Sequence, residues 1–204
     1  MNEIGSRHEQ DRISVASLEE IRPDQMVELQ AISDILNDPI NAQHFTQAAK
    51  SVEDLQRLAG RPDYHLLAAR NQLGEVVGTF SIIDEQKDVN THLIEKTAVI
   101  SNMHSKGIGR QMFEKAIQWC FETPTYEDRQ RKILVLWVEE DIPGWEIMQG
   151  LIYKLGFVQM LREPDLVVKV IDGVEVEKPA ARYHLRRERY EEFLRQGRYK
   201  TIKL

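Results

Sequence analysis

The chain has one cysteine, Cys120, which rules out an internal disulfide, and its histidines and cysteine fall at no zinc-site spacing. No apolar run approaches the ~18 residues that a membrane span needs. The first dozen residues, 1–12, are polar, mixed in charge and expected to be flexible; they lack the apolar stretch of a secretory signal. These absences predict a cytoplasmic protein with no metal and no membrane partner. Repeats, low-complexity tracts and Pro-, Gly- or Ser-rich linkers are missing too, so the 204 residues are expected to build one core. Nucleotide-binding loops fit poorly. No Lys-Ser/Thr pair follows Gly107 and Gly109, and Met112 stands where a Gly-x-Gly-x-x-Gly pattern needs its third glycine.

What is present is an ordinary globular balance, 42% hydrophobic and 29% charged. The net charge of −6 is unevenly spread. From Arg182 to Leu204 eight basic and three acidic residues give +5, which leaves −11 on residues 1–181. An acidic body disfavours a phosphate backbone, and hence nucleic acid, and suits a cationic partner such as an amine. The basic end reads first as a solvated terminal helix, with contact to RNA or to a subunit's acidic face as the alternative. Its Tyr190, Phe193 and Leu194, at i, i+3, i+4, can pack on the same domain or on a second copy in a homodimer.

The periodicity predicts a strand over 12–21, a helix after an Asp24 cap that Pro39 interrupts, and a short helix opened by a Ser51–Asp54 capping box and closed by Gly60. Strands follow at 64–70 and 75–83 around an Asn71–Gly74 turn, then at 93–100. Ile108, Met112, Phe113, Ala116, Ile117 and Cys120 mark one face of a helix over 110–121. The apolar run 132–138 reads as a strand covered on both sides. A helix from Trp145 to a stop at Gly156 comes next, then a strand 157–161, a hairpin 166–176 turning at Asp172-Gly173, a strand 181–186 and a helix 187–196. Helices alternating with strands imply an α/β fold with helices packed on a mixed sheet.

Chemistry concentrates between Glu95 and Arg110, where a strand leads through a glycine-bearing turn into an amphipathic helix. Such a turn aims several N–H groups at one spot, the helix dipole reinforces them, and Gly107 and Gly109 admit an anion close to the main chain. A pyrophosphate suits it; a purely structural turn is the plainer alternative. Ser105-Lys106-Gly107-Ile108-Gly109, preceded by Val99-Ile100, resembles the acetyl-CoA loop of the GNAT acetyltransferases. Tyr153-Lys154-Leu155-Gly156-Phe157 resembles that family's second signature, Tyr-x-x-Gly-Phe. Two departures stand out: His104 replaces the usual Arg or Gln that opens the loop, and Glu146 stands where many members have Asn.

The resemblance implies a mixed, mostly antiparallel sheet with helices on both faces and a splayed central strand pair, over a domain spanning 13–186 with a basic extension 187–204. It implies transfer of an acetyl group from acetyl-CoA, the acyl donor, to a primary amine of a small molecule or protein. A GNAT-like module that binds acyl-CoA or a partner without catalysis is the alternative. Coenzyme contacts fall on Val99, Ile100, His104, Ser105, Lys106, Gly107, Ile108, Gly109 and Arg110, with an N–H of Val99 or Ile100 polarising the thioester carbonyl. Tyr153 occupies the family position of the general acid, or else is a core-edge tyrosine. Glu95 is a candidate general base, or a salt-bridge partner; His92 and Glu139 are rival bases. Cys120 reads as a small buried side chain, Trp119, Trp137 and Trp145 as packing residues. His44, His65 and His184 read as surface or satisfied core histidines.

Overall fold

A computed structural model describes residues 14–42, 51–84, 91–99, 101, 104, 106–125, 129–140, 145–171 and 174–199. Expectations for residues 1–12, His44, Ile100, Ser105 and the Asp172-Gly173 turn lie outside them, as do those for the side chains of His92 and Glu95. In chain order the elements are β1 (Ser17–Glu20), α1 (Met26–Asn37), α2 (Pro39–Ala42), α3 (Val52–Ala59), β2 (Tyr64–Arg70), β3 (Val76–Asp84) and β4 (Thr91–Val99). Then come α4 (Ile108–Glu122), β5 (Ile133–Glu139), α5 (Trp145–Lys154), β6 (Val158–Ile171), β7 (Val174–Arg186) and α6 (Arg187–Arg195). The strands form one sheet in the order β1-β2-β3-β4-β5-β7-β6. Every pairing is antiparallel except β4 with β5.

Both sheet faces carry helices, and strand periodicity shows why. On β2, Tyr64, Leu66 and Ala68 join Leu29, Ile32 and Leu36 of α1 and Leu55 of α3, while Leu67 and Ala69 belong to the opposite cluster. That second cluster contains Met112, Ala116 and Ile117 of α4, Ile152 of α5, and Leu134, Leu136, Tyr183 and Leu185 of β5 and β7. Helix α4 seats directly on β3 because Gly78 has no side chain: a Cβ there would stand 2.4 Å from the Met112 sulfur. Two bonds to the approach of β1 fix it further, Val15 N–H to Gln111 Oε1 at 2.9 Å and Lys115 Nζ to the Ala16 carbonyl at 2.9 Å.

Three features differ from the sequence reading, and one expected cap is present. The first strand is confined to Ser17–Glu20. Asp24 pairs with Arg22 instead of capping α1, whose N-cap is Gln25. Ser51 does cap α3, accepting the Asp54 N–H at 3.1 Å. The segments read as two short strands and a separate hairpin are two long strands, β6 and β7, paired from Val158↔His184 to Ile171↔Val174 with register shifts at Gln159/Leu161 and Glu163/Val167.

The basic extension docks on its own domain. Tyr190, Phe193 and Tyr199 are buried members of the core around α4, and the Tyr199 hydroxyl donates to the Leu155 carbonyl. Gly156, at φ +85°, accommodates Phe193: an added Cβ would lie 2.8 Å from that ring.

The end of the sheet where β4 begins is closed by a buried ionic network. Arg131 is fully buried, its guanidinium 3.4 Å from Asp84 Oδ1 and 5.0 Å from the Trp119 ring centre. His65 lies between Glu20, 2.6 Å from Nδ1, and Asp84, 3.3 Å from Nε2. With a carboxylate at each ring nitrogen the imidazole is a double donor. The 3.4 Å approach of Arg131 to His65 Nε2 is then a contact between two cations sharing Asp84.

Candidate active site

The last β4–β5 pair is Ile94↔Leu136, yet β4 continues along β3 to Val99 and β5 along β7 to Glu139. From Glu95 onward one edge of β4 has no strand beside it, so the two central strands splay. The cause is visible in the register. One residue, Phe80, separates Thr79 from Ser81 on β3, while two, Lys96 and Thr97, separate their partners Ala98 and Glu95 on β4. An extra residue bends and twists its strand, and this one sits immediately past the last β4–β5 pair.

Beyond β4 the chain turns into α4. Its N-cap, Gly107, is left-handed at φ 80° and supplies no side-chain cap, and the first turn of α4 has no acidic residue. An ideal Cβ on Gly107 or on Gly109 meets nothing within 4 Å. The N-cap side chain thus leaves the positive end of this 15-residue helix uncapped, with room beside both glycines among the described residues. Lys106 and Arg110 are exposed beside them, Arg110 steadied by Glu114 at 2.8 Å. Ile108 is buried and anchors the first turn to the core. A helix N-terminus of this kind can accept an anion, and the segment is called the cradle below.

The sequence reading missed a clamp behind the cradle. Asn41, 5% exposed, donates through Nδ2 to the Ile35 carbonyl at 2.8 Å and to the Val99 carbonyl at 2.9 Å. His104 reaches the same Val99 carbonyl through Nε2 at 3.0 Å. The Ser101 hydroxyl donates to Asp38 Oδ2 at 2.9 Å. The Ile40 N–H, then the Ser101 hydroxyl, hold the Asp38 carboxyl below its usual pKa. The corner between α1 and α2 thus grips the end of β4 where it enters the loop. His104, the family's Arg or Gln position, is turned back onto the strand. A signal was present in Asp38-Pro39-Ile40-Asn41, an Asx-Pro helix break, but nothing local showed that it met residue 99.

The candidate acid and bases are placed differently from one another. Glu95 is the first β4 residue past the last β4–β5 pair, at the fork of the splay, opposite Ser81 of β3. His92 lies earlier on β4, opposite Leu134 of β5, inside the paired stretch. Glu139 ends β5, opposite Ala180. The Tyr153 hydroxyl donates to Gln159 Oε1 at 3.0 Å. Gln159 is on the edge strand β6, three strands from β4 and so ~14 Å away at sheet spacing. Ile152, one residue earlier and ~100° around the helix, is the side chain that turns inward. The Tyr153 ring meets Tyr183 of β7 edge-on, with 5.8 Å between centres, so it stands one strand from β5.

The chain matches the acetyltransferase (GNAT) family model over residues 29–141, more than half its length. No curated protein matches it. Among solved structures it is similar to spermidine N-acetyltransferase from Vibrio cholerae in complex with CoA and spermine. That likeness has TM-score 0.67 and 12% identity, and covers 86% of this chain and 97% of the other. It is also similar to a candidate phosphinothricin N-acetyltransferase, with TM-score 0.60 and 16% identity, covering 83% and 98%. Identities this low establish a shared fold.

Proposed function

The chain belongs to the GNAT acetyltransferase family, and from that premise we propose that it transfers the acetyl group of acetyl-CoA to a primary amine. One observation carries the reading: β4 parts from β5 immediately before a glycine turn that presents the bare N-terminus of α4. Residues 104–110 bind the coenzyme's pyrophosphate, with Gly107 and Gly109 leaving room for it and Lys106 and Arg110 adding charge. The open edge of β4 from Glu95 to Val99 offers main-chain groups to the pantetheine arm. An N–H at Val99 or Ile100 polarises the thioester carbonyl as charge develops there. Asn41 and Asp38 hold that segment in place.

Attack requires a neutral amine. Glu95, by its position at the fork, is the base this reading favours, directly or through water. Tyr153 as acid would have to release Gln159 first. Tyr153→Phe is therefore expected to leave kcat within about threefold, and the ~10²–10⁴-fold loss typical of a removed acid would return the role to it. Acceptors named for the structural relatives, spermidine and phosphinothricin, supply the first members of an amine panel. The direct test is thiol release from acetyl-CoA by the purified protein across that panel. Amine-dependent release supports transfer; saturable acetyl-CoA binding without release on any amine would replace it with a binding module. The fold, the coenzyme and an amine acceptor also fit a cytoplasmic setting, and a homodimer is compatible with the exposed edge strand β6.

A further inference from the structure

The two faces of the splay are chemically unlike. Leu134, Leu136 and Val138 of β5 and Ala181, Tyr183 and Leu185 of β7 lie in the core beneath α4 and α5. Their alternates, Val135, Trp137 and Glu139 on β5 and Arg182 and His184 on β7, point to the other face. The cluster beneath α1 and α3 includes no residue of β5, β6 or β7, so among the described residues no helix core covers this part of the sheet. Trp137 is the first β5 residue past the last pair with β4, and Arg182 is its partner on β7. The lip of the splay on this face is therefore formed by Trp137 and Arg182.

Arg182 is half-buried, with its guanidinium 5.4 Å from the Trp137 ring centre. Its Nε is shielded from solvent and has no hydrogen-bond partner among the described residues. His184, two residues on along the same face, has a shielded and unpartnered Nε2 as well. Burial, with Arg182 and Arg186 beside it, lowers the His184 pKa and keeps the ring neutral. A shielded donor left without an acceptor carries a cost, and an oxyanion supplied from outside would accept from it. A planar guanidinium backed by an indole presents two parallel donors to an oxyanion.

We propose that Arg182, backed by Trp137 and flanked by His184, binds a carboxylate on the acceptor, so that the amine acetylated is of the amino-acid type. The inference rests on the transfer reading above. The coenzyme cradle lies over the α4 face, so an acetyl group presented through the splay emerges on the Arg182 face. Strand β7 is one sheet spacing from β5, ~4.8 Å, and an arginine side chain spans the remainder. A carboxylate a few bonds from the amine then meets the guanidinium while the amine meets the thioester. A polyamine would place a second cation against Arg182 and is disfavoured.

The test compares phenylalanine with phenethylamine, and both with spermidine, as acceptors for the full chain, by kcat/KM at fixed acetyl-CoA. Phenylalanine is expected to exceed phenethylamine by at least tenfold, worth ~1.4 kcal/mol. Arg182→Gln should bring the two within about threefold while acetyl-CoA affinity and melting temperature stay unchanged, and Arg182→Lys should restore part of the preference. Phenethylamine or spermidine as the better acceptor, or a preference that survives Arg182→Gln, overturns the inference and leaves acetyl transfer standing. If Arg182→Gln does not fold, the wild-type ratio and Arg182→Lys decide. Turnover of none of the three, in a protein that binds acetyl-CoA, overturns both.

Discussion

Helix α4 has two ends about 22 Å apart, and the protein treats them in opposite ways. At the N-terminus the N–H groups are uncapped, the glycines adjoin open space, and the nearby cations are solvated. At the C-terminus Arg131 donates to the Cys120 and Thr123 carbonyls and Arg187 donates to the Phe121 carbonyl at 2.6 Å. No basic residue of α4 itself occupies the last turn, so both cations come from later segments of the chain. The same dipole thus lends its positive end to a ligand while its negative end is satisfied within the fold. A binding end can be left bare because the other end is held by a network joining β1, β2, β3, α4 and the approach to β5.

Breaking the closed end should cost most. Removing residues 187–204 deletes Arg187 and three buried aromatic residues, Tyr190, Phe193 and Tyr199. Each large aromatic deletion costs ~3–5 kcal/mol, and a domain has only ~5–15 kcal/mol in total. Loss of the cooperative transition in a thermal melt is expected; a truncated protein that melts normally would make α6 an ornament on the surface. Arg131→Ala comes next. It takes the guanidinium from Asp84 and the donor from two carbonyls, and should cost ~3–5 kcal/mol by urea unfolding, while any folded fraction binds acetyl-CoA at wild-type affinity.

At the open end the signs reverse. Gly109 lies in the first turn with free space around it, so Gly109→Glu improves helix propensity and complements the dipole. The ligand-free protein should gain ~0.5–1 kcal/mol of stability. Acetyl-CoA affinity should fall at least ~10-fold, or ~1.4 kcal/mol, by calorimetry. Unchanged affinity would remove this turn from the site.

A smaller effect separates the ends by pH. Burial alone would lower the His65 pKa; the hydrogen bonds to Asp84 and Glu20 outweigh it and leave the pKa raised. A raised folded pKa means stability that is complete below the unfolded value of ~6.5 and lost as pH climbs through the folded value. Melting temperature should decline over that window in the wild type and flatten in His65→Gln. An identical slope in both would take His65 out of the titration.

The two ends also differ in how readable they were. The cradle is local: the end of a strand, two glycines and the start of an amphipathic helix lie in the sixteen residues from Glu95 to Arg110, and the expected α4 face matches its buried positions. Arg131, Asp84, His65 and Glu20 span more than a hundred residues and share no spacing, so no motif could assemble them; His65, read as a surface or satisfied core histidine, is the latter. Asn41 and Val99 meet for the same non-local reason. At Tyr153 the motif gave the helix and its glycine stop, while its neighbours, Tyr183 and Gln159, come from strands later in the chain. The register irregularity between Glu163 and Val167 lets Pro164 lie within an edge strand, where a missing N–H is tolerated.

The additional residue in β4 works like a change of reading frame. Ala98 sits in the cluster beneath α1, while Val99 packs against the one beneath α4. Strand side chains alternate strictly, so deleting either Lys96 or Thr97 would exchange those faces for everything downstream until the turn. Ala98 would be driven toward Met112, Val99 would swing away from it, and the loop would leave the sheet on the wrong side of α4. Most surface insertions and deletions are absorbed by a loop. Here a single codon's length fixes which face each later strand residue meets and on which side the chain leaves for α4.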